Sequence, residues 1–116
     1  MTKAILIAAF LVVTLTGSVL AGGGKASWYG PKFDGRTTAS GERFNQYAAT
    51  CAHRSYRFGT RLKVTNLRNG RTATCRVNDR GPSVITGRSL DVSRGVAKQL
   101  GMVRSGVAPV KWTVIK

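Results

Sequence analysis

Residues 60–78, TRLKVTNLRNGRTATCRVN, decide the fold of this chain. Apolar and polar side chains alternate along residues 60–66, which is the pattern of a β-strand with one buried face. Asn69-Gly70 follows, and this pair is a strong short-range signal for a turn between two antiparallel strands. Residues 71–78 then return as the second strand. The stretch therefore predicts a β-hairpin that packs one face against a core.

The second strand runs directly into a turn, Asn78-Asp79-Arg80-Gly81-Pro82, that contains one of only 4 acidic residues in the chain. A carboxylate in such a turn commonly accepts hydrogen bonds from nearby backbone amides and stabilises the turn. The same group can act as a general acid that protonates a leaving oxygen and then takes a proton back. The chemistry of the residue leaves both interpretations of Asp79 open.

Two shorter segments lie before the hairpin. Residues 26–29 predict a short aromatic strand that ends at Gly30-Pro31, and we expect residues 22–25 to be a flexible lead-in to it. Residues 47–53 fit either a strand or one helical turn, because their apolar pattern does not separate the two.

Three segments follow the hairpin. Residues 90–92 predict another short strand. Ser93 can cap a helix over residues 94–100, and Gly101 is suited to end it. Residues 107–115 alternate again and predict the last strand. Several short strands and one short helix in a small domain favour a mainly β fold, a compact barrel.

The first residues have the pattern of an export signal. Residues 1–3 carry a positive charge, residues 4–14 are apolar, and residues 19–21 suit a cleavage site. We therefore predict a signal peptide at residues 1–21 and one domain at residues 22–116. The alternative is a membrane anchor, although the apolar run is shorter than the roughly 20 residues that span a bilayer. We expect an exported protein, in the periplasm or secreted, with no membrane anchor after cleavage.

The charge of the chain indicates a polyanionic environment. The sequence has 19 Lys and Arg against 4 Asp and Glu, a formal net charge of +15. Such a charge attracts polyanions without specifying a fold. For an exported protein these are cell-wall polymers, lipopolysaccharide and anionic lipid, so we do not expect a nucleic-acid partner. A domain of this size with one core is expected to be a monomer.

The two cysteines, Cys51 and Cys75, form an even set in a small exported domain, which predicts one disulfide. The alternative is two buried thiols. His53 is the only histidine, and without closely spaced cysteines it does not make a zinc site. We expect no metal and no cofactor. A lone histidine is either a structural hydrogen-bonding group or part of a catalytic site.

All four acidic residues lie in or beside turns. Glu42 is either part of a site or a surface salt bridge to Arg43 or Arg36. Asp91 either belongs to a site or orients the start of the helix. The aromatic side chains near these acids either stack on sugar rings or fill the core, and they are Trp28, Tyr29, Phe33, Phe44 and Tyr47. Trp112, in the last strand, is expected in the core.

Taken in order along the chain, a series of segments resembles the rare lipoprotein A (RlpA-like) family. They are ASWYG at residues 26–30, TASGERF at 38–44, AHR at 52–54, FGT at 58–60, VTNL at 64–67, NGR at 69–71, VNDRGP at 77–82 and LDVS at 90–93. The resemblance covers about residues 25–115. The VNDRGP block within this ordered series is its most specific part.

The resemblance implies a six-stranded double-psi β-barrel with one or two short helices and an open groove. It also implies a peptidoglycan lytic transglycosylase that cleaves the β-1,4 bond between N-acetylmuramic acid and N-acetylglucosamine in peptide-poor glycan strands and leaves 1,6-anhydro ends. The matching positions make Asp79 the catalytic acid, with Glu42 and His53 as further active-site residues. The residues we expect to contact the glycan are Trp28, Tyr29, Ser40, Arg80 and Asp91.

A related class keeps a similar groove without catalysis. Expansin-like barrels bind polysaccharide and do not cleave it, and this is the alternative function. Members of the family often carry a lipidated cysteine and a separate peptidoglycan-binding domain; this sequence shows neither, so outer-membrane tethering is not expected. A disulfide between Cys51 and Cys75 would brace the groove, because it joins the segment before His53 to the strand that leads to Asp79.

Overall fold

The computed structural model describes residues 20–115. Within that range the chain forms strands, one α-helix and two short 3-10 turns. The strands are β1 Ala21–Tyr29, β2 Thr50–Ala52, β3 Arg61–Asn66, β4 Thr72–Asp79, β5 Leu90–Ser93 and β6 Val107–Ile115. The helix is α1 Arg94–Leu100, and the 3-10 turns are Pro31–Phe33 and Val84–Thr86.

The strands close into a barrel in the order β1-β5-β2-β4-β3-β6, with β6 paired back onto β1. Strands β3 and β4 are antiparallel, with Leu62 opposite Cys75 and Val64 opposite Ala73. The predicted hairpin is therefore confirmed, and its connection contains Gly70 at a φ of 77°, the left-handed region that glycine adopts without strain. The mainly β, six-stranded barrel is confirmed with it.

The barrel core is built from the inward faces of the strands and is covered by helix α1. Its fully buried side chains include Leu62, Leu90, Leu100, Val77, Val92 and Val96. Trp112 is 4% exposed and belongs to this core, as predicted. Burial of these apolar surfaces supplies the main stabilising free energy of such a domain.

Helix α1 begins and ends where the sequence predicts. The Ser93 hydroxyl accepts a hydrogen bond from the Val96 amide at 3.3 Å, which caps the first turn. Gly101 adopts a φ of 68° and closes the helix with its own amide on the Ala97 and Lys98 carbonyls. The ambiguous segment at residues 47–53 resolves as the short strand β2.

The predicted flexible lead-in at residues 22–25 is wrong. These residues belong to β1, which starts at Ala21 and pairs along β6, with Gly22 opposite Trp112. A Cβ at Gly22 would come within 2.6 Å of the Trp112 ring, so this glycine makes room for an indole. A partner strand far away in the sequence supplies the hydrogen bonds that local propensity does not indicate.

Cys51 and Cys75 form a disulfide between β2 and β4, with their Cα atoms 5.7 Å apart. The predicted disulfide is therefore confirmed, and both of its residues are buried. The predicted signal peptide falls almost wholly on residues 1–19, which lie outside the described range. Between residues 20 and 115 no helix has the length and apolar character needed to cross a bilayer.

Candidate active site

One row of paired residues crosses four neighbouring strands and brings two acids together. Ala52, near the middle of the row, lies opposite Asp79 of β4 on one side and Asp91 of β5 on the other. Asp91 in turn lies opposite Ser27 of β1. Two strand spacings separate the acids, about 9–10 Å along the row. The small side chain of Ala52 between them leaves the space in which a cleft opens.

A β-bulge sets the direction of Asp79. Cys51 pairs with Val77 and Ala52 pairs with Asp79, so Asn78 is an extra residue on β4. In a regular ladder Asn78 would face Ala52 and Asp79 would point into the barrel with Val77. The bulge instead places Asp79 on the face that Ala52 shares, and bulges of this kind commonly re-aim a side chain beside a site.

The Asp79 carboxylate is held at one oxygen only. Its Oδ1 accepts hydrogen bonds from the Ala39 amide at 3.0 Å and the Arg80 amide at 2.9 Å. Across residues 20–115 no hydrogen bond reaches its Oδ2. The sequence left a turn device and a reacting acid as alternatives, and the geometry provides for both, since one oxygen stabilises the turn while the other stays available.

The loop at residues 37–43 supplies one of these two amides, and Glu42 fixes that loop. Both Glu42 oxygens accept from the Arg76 guanidinium at 2.9 Å, and Oε1 also accepts from the Asn78 side-chain amide at 3.0 Å. These hydrogen bonds lower the pKa of Glu42, and those from Arg76 have the larger effect. Glu42 is not among the residues that line the cleft at Asp79.

The salt bridge proposed for Glu42 has a different partner from those weighed in the sequence. Glu42 pairs with Arg76 on β4, not with Arg43 or Arg36. The Arg43 guanidinium donates instead to the Gly35 carbonyl at 3.0 Å. Arg43 and Arg36 are near Glu42 in the sequence, but the fold brings Arg76, 34 positions away, into bidentate contact with it.

His53 is joined to Asp79 by a backbone hydrogen bond between neighbouring segments, and it is not among the residues that line the cleft at Asp79. Its amide donates to the Asp79 carbonyl at 3.2 Å. Its ring stacks on Tyr56 with centroids 3.9 Å apart and meets the edge of Trp112 at 5.8 Å. Its Nδ1 accepts from the amides of Ser55 and Tyr56, each at 3.1 Å.

The surroundings of His53 favour its neutral form. Burial lowers the pKa of His53, and the positive charges of Arg54 and Arg80 lower it further. An imidazole that accepts two backbone N–H groups at Nδ1 carries its proton on Nε2. His53 therefore supports the backbone around Asp79 as an uncharged group.

The main cleft, at Asp79, has a volume of about 340 Å³. Its lining residues are Tyr29, Phe33, Arg36, Thr37, Thr38, Phe44, Ala52, Asp79, Arg80 and Asp91. Aromatic walls with a few charged groups are typical of sites that bind small polar ligands such as sugars. The cleft therefore joins the row of acids to an aromatic surface.

Tyr29 is the most unusual group in the main cleft. Its ring stacks on Phe44 with centroids 4.4 Å apart, and its hydroxyl is buried with no hydrogen-bond partner in the described part of the chain. Burial raises the pKa of Tyr29, and the nearby carboxylates Asp79 and Asp91 raise it further. The phenol is therefore held as a neutral donor, and a bound ligand can supply the missing acceptor.

A side cleft of about 420 Å³ adjoins the main one and shares Tyr29, Phe33 and Asp91 with it. Trp28 lines the side cleft, and its indole N–H donates to the Val103 carbonyl at 3.1 Å. Arg88 also lines it and pairs with Asp91 at 3.3 Å. The two clefts together form an extended groove.

The remaining residues predicted to contact the glycan differ in their placement. Arg80 lines the main cleft, but its guanidinium donates to the carbonyls of His53 and Tyr56 and lies 4.0 Å from the Phe58 ring centroid. Ser40 lines neither cleft, and its hydroxyl lies 3.0 Å from the Thr38 hydroxyl. Ser40 thus belongs to the loop that positions the Ala39 amide.

Sequence reasoning missed Arg36, Ala39 and Asn78 as parts of this site. Ala39 acts through its backbone, so its side chain gives no signal. Asn78 was assigned only to the strand and the turn, because its hydrogen bond to Glu42, 36 positions away, is not visible in the sequence. Between residues 20 and 115 no three of the His, Cys, Asp and Glu residues cluster as metal ligands do.

Residues 21–112 match the model of a protein family described as lytic transglycolase. The chain belongs to this family. Its matched range runs from the start of β1 to Trp112 within β6 and includes both acids of the main cleft. The resemblance to the RlpA-like family, and the double-psi β-barrel that it implied, are confirmed by this match and by the relatives below.

Two curated relatives of this lytic transglycolase domain are named endolytic peptidoglycan transglycosylase RlpA, one of them with the word probable. A probable endolytic peptidoglycan transglycosylase RlpA of Synechocystis is 56% identical over 94 residues, which are 81% of this chain and 29% of the relative. The endolytic peptidoglycan transglycosylase RlpA of Campylobacter jejuni is 54% identical over 92 residues, 79% of this chain and 33% of the relative. The chain thus spans about a third of the length of these proteins.

Solved structures share the fold at lower identity. Streptomyces papain inhibitor superposes with a TM-score of 0.64 at 21% identity, over 83% of this chain and 94% of the inhibitor. An expansin of Clavibacter michiganensis superposes with a TM-score of 0.63 at 24% identity, over 84% of this chain and 51% of the expansin. These similarities establish the barrel fold, and any activity must be inferred from the residues of the site.

Proposed function

We propose that this domain is an endolytic lytic transglycosylase that cleaves the β-1,4 bond between N-acetylmuramic acid and N-acetylglucosamine in peptide-poor peptidoglycan strands. One observation carries the proposal: the Asp79 carboxylate is anchored through Oδ1 by two backbone amides, and its Oδ2 has no hydrogen-bond partner in residues 20–115 while the residue lines an aromatic cleft. The names of the curated relatives support the same reaction class.

In the proposed mechanism Asp79 serves as acid and then as base. Protonated Asp79 donates its proton to the glycosidic oxygen as the bond from that oxygen to C1 of the muramic acid breaks. The C6 hydroxyl of the same muramic acid attacks C1 and closes the 1,6-anhydro ring. Its proton passes to the Asp79 carboxylate, so no water is consumed and the acid is regenerated. One carboxylate suffices, unlike the two required by glycoside hydrolases.

The other predicted site residues are proposed in supporting roles. Glu42 holds the loop that presents the Ala39 amide, and His53 holds the backbone of Asp79, so both act as positioning residues for the acid. Tyr29 donates its hydroxyl to a sugar oxygen.

Three of the other residues predicted to contact the glycan line the groove, and the fourth, Ser40, does not. Trp28 and Asp91 line the side cleft, Arg80 lines the main cleft, and Ser40 supports the loop.

Digestion of purified, peptide-stripped glycan strands tests the proposal. We expect mass spectrometry to find products ending in 1,6-anhydro-muramic acid. A protein that binds the strands in a pull-down and releases no such product would be an expansin-like binder instead, and the proposed enzyme would be abandoned.

Asp91 favours a second candidate reaction. The backbones of Asp79 and Asp91 lie two strand spacings apart, about 9–10 Å, and both residues line one cleft, as the paired acids of glycoside hydrolases do. Against it, Asp91 Oδ1 already accepts from Ser27 and pairs with Arg88. The same digestion separates the two reactions, because hydrolysis gives reducing ends whereas the transglycosylase gives anhydro ends.

We also propose that residues 1–21 are a signal peptide that exports the domain to the periplasm or the medium, where it acts as a monomer without a metal, a cofactor or a nucleic-acid partner. Peptidoglycan lies outside the cytoplasm, which supports export. N-terminal sequencing of the protein recovered from that compartment tests the cleavage site after Ala21.

A further inference from the structure

Arg36 is a cation in the main cleft that has no partner in the described structure. Its guanidinium lies 5.4 Å from the centroid of the Phe33 ring, and residues 20–115 provide it with no ion pair and no hydrogen bond. The other arginines of the groove are engaged. Arg80 donates to two backbone carbonyls and Arg88 pairs with Asp91. Among the groove arginines in residues 20–115, Arg36 is thus the one whose guanidinium has no hydrogen-bond or ion-pair partner.

The backbone presents the Arg36 side chain from a fixed position. The Arg36 amide donates to the Phe33 carbonyl at 3.0 Å, and its carbonyl accepts from the Phe44 amide at 2.7 Å. The next residue, Thr37, pairs with Arg43 in an isolated bridge. The guanidinium therefore extends along the Phe33 ring into the cleft from an anchored strand-like segment.

An unpaired guanidinium fits a particular ligand chemistry. Its planar fork matches a carboxylate with two parallel hydrogen bonds, and the contact gains strength where an aromatic wall limits solvent. Asp79 and Asp91 line the same cleft, but within residues 20–115 neither forms an ion pair with Arg36. The anion that Arg36 can receive is therefore one brought by the ligand, in the cleft of about 340 Å³ that Asp79 also lines.

The substrate of the proposed function contains such an anion. Every muramic acid carries a lactyl ether whose carboxyl group is free in a peptide-stripped strand and is consumed as an amide where a stem peptide is attached. We propose that Arg36 binds this free lactyl carboxylate and thereby selects peptide-free strands. The inference rests on the proposed function, and it assigns the substrate preference to one side chain.

Binding measurements test the inference without turnover. Peptide-stripped strands are compared with the same strands after their lactyl carboxyl groups are converted to methylamides, a small neutral change. The protein carries Asp79→Asn so that strands are not consumed, and in that background Arg36→Gln, Arg36→Lys and Arg104→Gln are compared. Arg104 is exposed, has no side-chain hydrogen bond within residues 20–115 and lines neither cleft of the groove, so it matches the loss of charge.

We expect the Asp79→Asn protein to bind the carboxylate strands about tenfold more tightly, which is the size of a charge-assisted hydrogen-bonded pair. Arg36→Gln should reduce this preference to within about twofold of unity, Arg36→Lys should retain part of it because it keeps the charge and loses the fork, and Arg104→Gln should keep it. Circular dichroism verifies that each variant is folded.

Two results would overturn the inference. One is an Arg36→Gln protein that keeps the full preference, and the other is a parent protein that binds both kinds of strand equally. Either result leaves the proposed reaction standing if the wild-type protein still releases anhydro products. If the wild-type protein releases no anhydro products but the binding preference is intact, the proposed enzymatic function fails, and the protein is a carboxylate-selective binder.

Discussion

The end of β4 and the loop at residues 37–43 each carry a carboxylate, and the two are held in opposite ways. Asp79 is bonded through one oxygen to two backbone amides and faces the main cleft with the other. Glu42 has both oxygens bonded to Arg76 and Asn78 and lies outside that cleft. A fully paired carboxylate is suited to hold a loop, whereas proton exchange with a substrate needs a free oxygen. Under the proposed function, this difference makes Asp79 the reacting acid and Glu42 its support.

The largest effect that this difference predicts is for Asp79→Asn. We expect turnover to fall by about 10²–10⁴-fold, the usual contribution of general acid catalysis. Asparagine keeps an oxygen that can accept from the Ala39 and Arg80 amides, so the unfolding midpoint should change little. Anhydro products are quantified by mass spectrometry and folding by circular dichroism. Turnover within twofold of wild type would remove Asp79 as the acid.

A smaller effect is expected for Glu42→Gln, because this residue acts through the loop. Turnover should fall about tenfold, in the range of a 1 Å displacement of a catalytic group or less. Arg76→Gln should give a similar loss, and the double variant should be no worse than either single one, as expected for partners in one interaction. Additive losses in kcat/KM would indicate that Glu42 reacts independently of Arg76.

The same ion pair has a pH signature with a definite sign. Because the pKa of Glu42 is lowered, its contribution to stability is complete above its ordinary value of 4.5 and is lost as the pH falls through the lower value of the folded state. Wild-type protein should therefore lose stability below about pH 4.5 more steeply than Glu42→Gln. Unfolding midpoints measured across this range would contradict the assignment if the two curves were parallel.

Removal of a tyrosine hydroxyl is expected to have a smaller effect still, and two tyrosines allow a matched comparison. The Tyr29 hydroxyl is buried without a partner, whereas the Tyr56 hydroxyl accepts from the Trp112 indole at 3.2 Å. We expect Tyr29→Phe to stabilise the free protein by about 1 kcal/mol and to raise KM severalfold, since the hydroxyl is satisfied only by substrate. Tyr56→Phe should destabilise the protein and leave KM nearly unchanged. Thermal unfolding and steady-state kinetics of both variants check this opposition.

The smallest expected effect concerns His53. Its pKa is lowered from the ordinary value of 6.5, so its neutral ring contributes stability fully above pH 6.5, and that contribution is lost as the pH falls through the lower folded value. His53→Asn should flatten the dependence of the unfolding midpoint on pH just below 6.5. An unchanged slope would indicate that the ring charges freely in the folded protein.

The sequence allowed much of the barrel to be predicted because several signals were local. Alternation in β3 and β6, the Ser93 cap and the terminal Gly101 each depend on neighbours a few residues away. The glycine-rich start of β1 gave the opposite signal, since its pairing depends on β6 near the other end of the chain. Local propensity cannot register a partner strand about 90 residues away.

Some residues of the site could likewise be predicted from local sequence, and others could not. Asp79 could be singled out from its turn and its place in an ordered series of motifs, and Tyr29 from its aromatic strand. The partners of Glu42 could not be predicted, because Arg76 and Asn78 reach it across 34 and 36 positions of the chain. Geometry at the angstrom scale decides which oxygen is free, and no residue pattern encodes that.

The antiparallel pairing of the first and last strands fixes where neighbours of this domain would be attached. Ala21 lies opposite Thr113, so the start of β1 and the end of β6 lie at the same end of the barrel. The main cleft lies beyond Tyr29 at the far end of β1, about 25 Å away at the rise of an extended strand. A segment joined to either terminus would therefore leave the barrel at the end farthest from the main cleft.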